Sequence, residues 1–328
     1  MRISPIATWL CPSDEGYRSE LHTDNHSVVH HPRVVCPAAS PAEVAEAVNF
    51  ASERGMSVAV QSTGHGMSRA ADGVLVTTGR LSRIAIDPVR RRARVGAGVR
   101  WREVITAAAE YGLAPLNGSS PHVGVMGYVL GGGVGMLGRQ YGYAADHVHS
   151  IELVTADSVV RTISPTTDLE LFHVVRGGKD NFGIATEIEI GLFPVTDFYG
   201  GSLYFPAGRA RELLNRYIRW TGDLPNTLAT SIFLLGSSRY PPGATSHSCA
   251  SPISARPNGP NLCSRRFERS GRRCSTRCGR CVTPRSAWSI TNRSGGTRCT
   301  NPVSTADLST KPMSTVFCRS RGRAPPNH

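Results

Sequence analysis

Residues 117–142 read NGSSPHVGVMGYVLGGGVGMLGRQYG. Nine of these residues are glycine, and Gly131, Gly132, Gly133 and Gly135 fall almost side by side. Ordering so many residues without a Cβ costs conformational entropy. The stretch does not read as a solvated linker, because Val123, Val125, Met126, Val129, Leu130, Met136 and Leu137 are interleaved with the glycines. The expected return is close approach of the backbone to a large ligand, with amides free to donate to phosphate oxygens.

The flanking elements are mixed. Upstream, Val34–Cys36 reads as a short strand. Ser40, Pro41 and Glu43 then form a helix start, with Ser40 as N-cap and Glu43 closing a capping box. Val44, Ala47, Val48 and Ala51 make the apolar stripe of that helix, and Gly55 is its stop. Residues 56–61 read as a buried strand feeding Ser62–Thr63–Gly64–His65–Gly66. Strands are expected at 74–78, 84–87 and 93–97, and a helix over 101–111 ending at Gly112. Downstream, 150–155 and 159–163 pair as strands, 169–175 is a short helix, and 183–193 alternates as a half-exposed strand. A strand at 203–205, a helix over 210–220 and an apolar run at 232–235 complete the pattern. The order is α+β, with little sign of a regular βαβ repeat.

Gly133–Gly138 fits GxGxxG, and Asp157 follows at the end of a strand, as in a dinucleotide fingerprint. Such a motif should follow a clean first strand and open a long helix. Here four glycines (124, 127, 131 and 132) precede it, and Tyr141–Gly142–Tyr143 cuts any helix short.

Three separated segments fit better together. They are residues 58–65, residues 118–146, and Arg176–Gly177–Gly178–Lys179–Asp180–Asn181–Phe182–Gly183–Ile184–Ala185–Thr186. In this order they resemble the FAD-binding domain of p-cresol methylhydroxylase, vanillyl-alcohol oxidase and the berberine-bridge-enzyme-like oxidases. Gly127–Gly135 resembles the family's GxxxGGGxG, 141–146 its Tyr-Gly-x-x-x-Asp, and 176–186 its RGGGxNFGIVT. The resemblance covers about residues 30–195 and weakens through about 239.

The resemblance implies FAD held between two α+β subdomains. It assigns cofactor binding to Ser62, Thr63, Gly64, His65, Gly66, Ser120, Val123, Gly124, Gly127, Gly131, Gly132, Gly133, Gly135, Asp146, Gly183 and Ile184. It makes His65 the candidate for a covalent bond to the flavin 8α-methyl, a role that requires a neutral imidazole nitrogen. In the loop that carries His65 two positions depart from the family: Gln61 replaces an arginine, and Thr63 replaces a glycine. Ser120 stands where some relatives carry a second, cysteinyl link, and a hydroxyl cannot replace a thiolate there. At most one covalent link is therefore expected. His122 falls near the flavin ring in this alignment, and a backbone-bonded loop histidine is the competing reading. Asp146 reads first as a turn residue bonded to backbone, ahead of a cofactor role. Arg176 reads as a partner for phosphate or for a carboxylate such as Glu187, Asn181 as a turn cap, and Trp101 as core.

The net charge of +13 belongs to one end. Residues 240–328 carry fifteen basic and two acidic residues, whereas the first 239 residues balance at 22 of each. Seven of nine cysteines also lie after residue 239; only Cys11 and Cys36 precede it. The chain therefore divides into a lead (1–29), an FAD-binding domain (30–196), the start of a substrate domain (197–239) and an irregular Arg/Ser/Cys-rich tail (240–328). Beyond about Gly236 no helical or strand periodicity persists. Three readings of the tail stay open. It is an out-of-frame stretch of a GC-rich gene, a thiolate metal site at Cys263, Cys274, Cys278 and Cys281, or a basic arm for acidic surfaces. No metal is assigned.

The function these features imply is FAD-dependent oxidation of an alcohol, a sugar or a secondary metabolite, with hydride passing to the flavin and oxygen as acceptor. The catalytic base belongs to the family's second domain and cannot be named. An inactive remnant, a non-enzymatic basic binding protein and an NAD(P) dehydrogenase are the alternatives. No apolar run is long enough to span a membrane. No targeting segment is recognised, so the cytoplasm is the default, and no specific nucleic-acid partner is expected.

Overall fold

The computed structural model describes residues 7–67, 69–179, 181–234, 244–253 and 277–282. By internal contacts the chain divides into two units, Met1–Pro194 and Val195–His328.

In the first unit the elements are α1 (Tyr17–Glu20), β1 (Val34–Pro37), α2 (Pro41–Glu53), β2 (Val58–Gln61), β3 (Val74–Thr77), β4 (Ile84–Asp87), β5 (Arg92–Gly96), α3 (Trp101–Ala109), α4 (Val125–Leu130), α5 (Gly138–Tyr141), β6 (Val148–Val154), β7 (Val160–Ile163), α6 (Leu169–Gly178) and β8 (Ile184–Gly191). They build two sheets. One is parallel, with order β1-β3-β2. The other is antiparallel, with order β4-β5-β8-β6-β7.

α2 begins as its sequence dictates. Ser40 Oγ accepts the Glu43 amide at 3.3 Å, and Pro41 occupies the first turn, where no amide is needed. The Glu43 carboxylate accepts from the Ala39 amide, one residue before the cap. Gly55 closes the helix at φ +59. The apolar face of α2, with Val44, Ala47, Val48 and Ala51, packs on Val34, Cys36, Val74 and Val76 of the parallel sheet. The same cluster includes Val154 and Ile184 of the antiparallel sheet, so one core joins both. Burial in this core pushes the Cys36 thiol up to about 12.

One expectation needs correction here. The strand before the 62–66 loop is not buried: Val58 and Val60 are 38% and 39% exposed. β2 is an edge strand with only β3 beside it, so its outer side faces solvent. Among the described residues there is one βαβ unit, β1 and β2 joined by α2 and both parallel to β3, and no regular repeat of it, in keeping with the α+β order. The glycine stretch contains a short helix, α4, whose Val125, Met126, Val129 and Leu130 are buried.

The second unit contains β9 (Asp197–Pro206), α7 (Ala210–Thr221), β10 (Ala229–Leu234), β11 (Ala244–Ile253) and β12 (Arg277–Val282). The strands form an antiparallel sheet of order β10-β11-β9-β12. β11 and β12 lie in the segment where periodicity predicted nothing regular. Ladder bonds are made by backbone, and a strand needs no alternation in its side chains to form them. Cys278 and Cys281 fall in β12, while Cys263 and Cys274 lie outside the described residues.

Candidate cofactor site

β2 ends at Gln61, and the chain turns through Ser62–Met67. This loop is held from outside by the segment after α1. Thr23 Oγ1 donates to Gly64 O at 2.8 Å. The Asp24 amide donates to Thr63 O at 3.0 Å. Asn25 Nδ2 donates to Met67 O at 2.9 Å. Gln61, 3% exposed, sends its amide nitrogen to His22 O at 2.8 Å and to Glu20 O at 3.4 Å. From the inside, Ser62 Oγ donates to Ala97 O at 2.8 Å, tying the loop to the end of β5. Asp24 also pairs with Arg100 at 3.0 Å, and Arg100 Nη1 donates to His122 O. Arg102 lies 3.1–3.2 Å from both His122 ring nitrogens. His122 is thus engaged with two arginines.

The glycines of the central stretch divide into two groups. A Cβ on Gly133 would stand 2.7 Å from the Tyr128 ring, and one on Gly118 would stand 3.0 Å from it. On Gly135 it would fall 2.6 Å from Asn117 O and 3.1 Å from the Tyr128 hydroxyl. These glycines make room for Tyr128, whose ring meets Trp101 edge-on at 5.4 Å. Trp101 is fully buried, as expected of a core residue. Burial pushes the Tyr128 phenol up to about 12. Gly124 is closed by the loop, since its Cβ would meet Ser62 Oγ at 3.1 Å and Thr63 Cγ2 at 3.2 Å.

Gly127 and Gly132 face open space, and Gly127 within α4 and Gly131 at its C-terminal cap are both exposed, one turn apart. His65 and Gly66 are exposed as well. Among the described residues, the Gly64 and Gly66 amides have no acceptor. Space that a side chain would fill, together with unspent amide donors, fits the diphosphate of a dinucleotide.

Packing within the protein accounts for several other residues of the expected site. Asp146 Oδ2 accepts the Tyr143 amide at 3.0 Å and caps a short 3₁₀ turn. A Cβ on Gly183 would lie 2.6 Å from Val154 O, and Ile184 is buried in the core. Val123 O accepts the Trp101 amide, and Ser120 is half-buried beside this segment. The Arg176 guanidinium stands 5.2 Å over the Phe172 ring, while Glu187 pairs with Arg94 at 3.4 Å. Asn181 turns the chain at φ +77. The GxGxxG match fails as a nicotinamide fingerprint, because α5 after it is only four residues long. Asp157 sits in the β6–β7 turn, where hydrogen bonds from Arg161 and Thr155 hold its carboxyl well below the usual range.

Sequence reasoning missed the 20–25 strap, which falls within the lead (1–29) to which no role is assigned. The buried Gln61 was its one signal: a polar side chain in place of the family's arginine needs partners.

The FAD binding domain family matches residues 32–164. (R)-6-Hydroxynicotine oxidase of Paenarthrobacter nicotinovorans is 35% identical over 187 residues, covering 56% of this chain and 41% of that protein. The solved 6-hydroxy-D-nicotine oxidase of Arthrobacter nicotinovorans superposes with a TM-score of 0.70 at 28% identity, over 77% of this chain and 56% of that one. Berberine-bridge-enzyme-like protein 1 of Physcomitrella patens shares the fold, with a TM-score of 0.69 at 22% identity, over 76% of this chain and 55% of that one. The chain thus spans about half the length of these relatives. The match to the FAD binding domain family is confined to residues 32–164, and it is there that the chain resembles these flavoproteins.

Proposed function

We propose that this protein is an FAD-dependent oxidoreductase of the oxidase type acting on a small organic molecule. When bound, FAD supplies the two-electron chemistry, accepting a hydride from substrate and passing the electrons to oxygen. The observation that carries the reading is the open glycine face beside His65. The Ser62–Gly66 loop and the exposed side of α4 hold the cofactor, with the Gly64 and Gly66 amides donating to its phosphates.

His65 anchors the flavin. Its imidazole nitrogen would be the atom that holds the flavin at the 8α carbon, a role open only to the neutral ring. Asp24 and Arg100 keep the loop in register with the 119–124 segment. The nicotine-derivative oxidase named above favours a small amine or alcohol substrate over a polymer.

The visible spectrum of the purified protein, followed by acid precipitation, tests this. Flavin absorbance that stays with the pellet supports both FAD and the His65 bond. Absorbance that moves to the supernatant keeps FAD and removes the bond. A colourless, folded protein that takes up no added FAD contradicts the reading.

A further inference from the structure

Lys179 follows α6 with φ +64 and ψ −70. This is the γ-turn region, rare and strained for any residue with a side chain. A glycine would adopt it freely, so a lysine here is retained at a conformational cost.

Its side chain reaches the open face. A methyl group built on Gly66 would stand 3.6 Å from Lys179 Nζ, and one built on Gly131 would stand 3.9 Å from Lys179 Cδ. The lysine therefore runs from α4 to the 62–66 loop, across the ground where both lack side chains. α4 and α6 lie side by side, which makes this reach short. Among the described residues no carboxylate pairs with Lys179, and it is exposed. The neighbouring cation Arg176 is stacked on Phe172.

We infer that Lys179 is a diphosphate-binding residue. Its ammonium closes the glycine cradle from the α6 side and donates to phosphate oxygens of the dinucleotide held there. This rests on the reading of the open face as the FAD site. The loop amides and the lysine then supply complementary donors, fixed dipoles on one side and a mobile point charge on the other.

The test uses the full chain expressed under riboflavin starvation, as wild type, Lys179→Gly and Lys179→Arg. Each is titrated with FAD and with riboflavin, and each is melted without ligand. Lys179→Gly is expected to weaken FAD by about tenfold or more, the scale of one charge-assisted contact. Riboflavin affinity should not change, and the ligand-free melting temperature should hold or rise as the strain is relieved. Lys179→Arg should retain most of the FAD affinity. Unchanged FAD binding in Lys179→Gly would overturn the inference, as would equal losses for FAD and riboflavin, or a loss of FAD binding that merely follows a loss of stability. If the wild-type chain binds no FAD, the reading of the site fails and the inference with it.

Discussion

Thr23 and Gly64, forty-one positions apart, are fitted to each other. The threonine hydroxyl donates to the glycine carbonyl at 2.8 Å, and a Cβ on Gly64 would fall 2.1 Å from that same hydroxyl oxygen. Gly64 also has φ +69, a conformation that disfavours any side chain. Glycine is needed here by the strap as much as by the ligand. Gly64→Ala is expected to destabilise the domain by about 2–4 kcal/mol, read by urea unfolding. Thr23→Val keeps the shape and removes the donor. It should cost about 1 kcal/mol and lower the FAD content of the purified protein, because the loop carrying His65 loses one of its ties. Unchanged stability in both variants would mean that the strap does not hold the loop.

Tyr128 is surrounded by glycines yet its hydroxyl is buried with no partner among the described residues. A buried polar group left unpaired costs free energy that its removal returns. Tyr128→Phe should therefore stabilise the protein by about 1 kcal/mol, measured by urea or thermal unfolding. A destabilisation of that size would show that the hydroxyl has a partner when the protein is in solution.

Glu187 sits on the antiparallel sheet near Glu152 and Glu189. Its carboxyl is raised, chiefly by burial, against the opposing pull of Arg94. A raised folded-state value means that this group favours folding below the ordinary carboxylate range. That contribution is lost as pH rises through the folded value. Glu187→Gln should raise the melting temperature at pH 7 by about 1–3 °C, the scale of a change below 1 kcal/mol. The gain should vanish near pH 4. A lower melting temperature at pH 7 would show that the Arg94 pair outweighs burial.

Much of the first unit was legible because its signals are local. Ser40, Pro41 and Glu43 announce α2, and the alternation of residues 184–191 announces β8. The site was legible only in outline. A count of glycines cannot tell Gly133, which accommodates Tyr128, from Gly127, which faces open space, because the difference lies in a neighbour's position. The exposure of β2 was illegible for a related reason. Val58–Ala59–Val60 reads as core, and only the sheet order puts it on an edge. The strap escaped because its bonds are to backbone carbonyls forty residues away, which leave no period in the sequence.

The central claim is that one face of the glycine stretch stays bare for FAD, and Gly127 tests it most directly. It lies within α4 with nothing within 4 Å of a would-be Cβ. A side chain there should be harmless to the ligand-free fold, and replacing a helical glycine adds about 0.5–1 kcal/mol of helix propensity. The measurement is FAD titration of Gly127→Leu beside wild type, with melting curves of both in the absence of ligand. The account predicts that the variant melts at or above the wild-type temperature and fails to bind FAD. A Gly127→Leu protein that binds FAD as wild type does would contradict it.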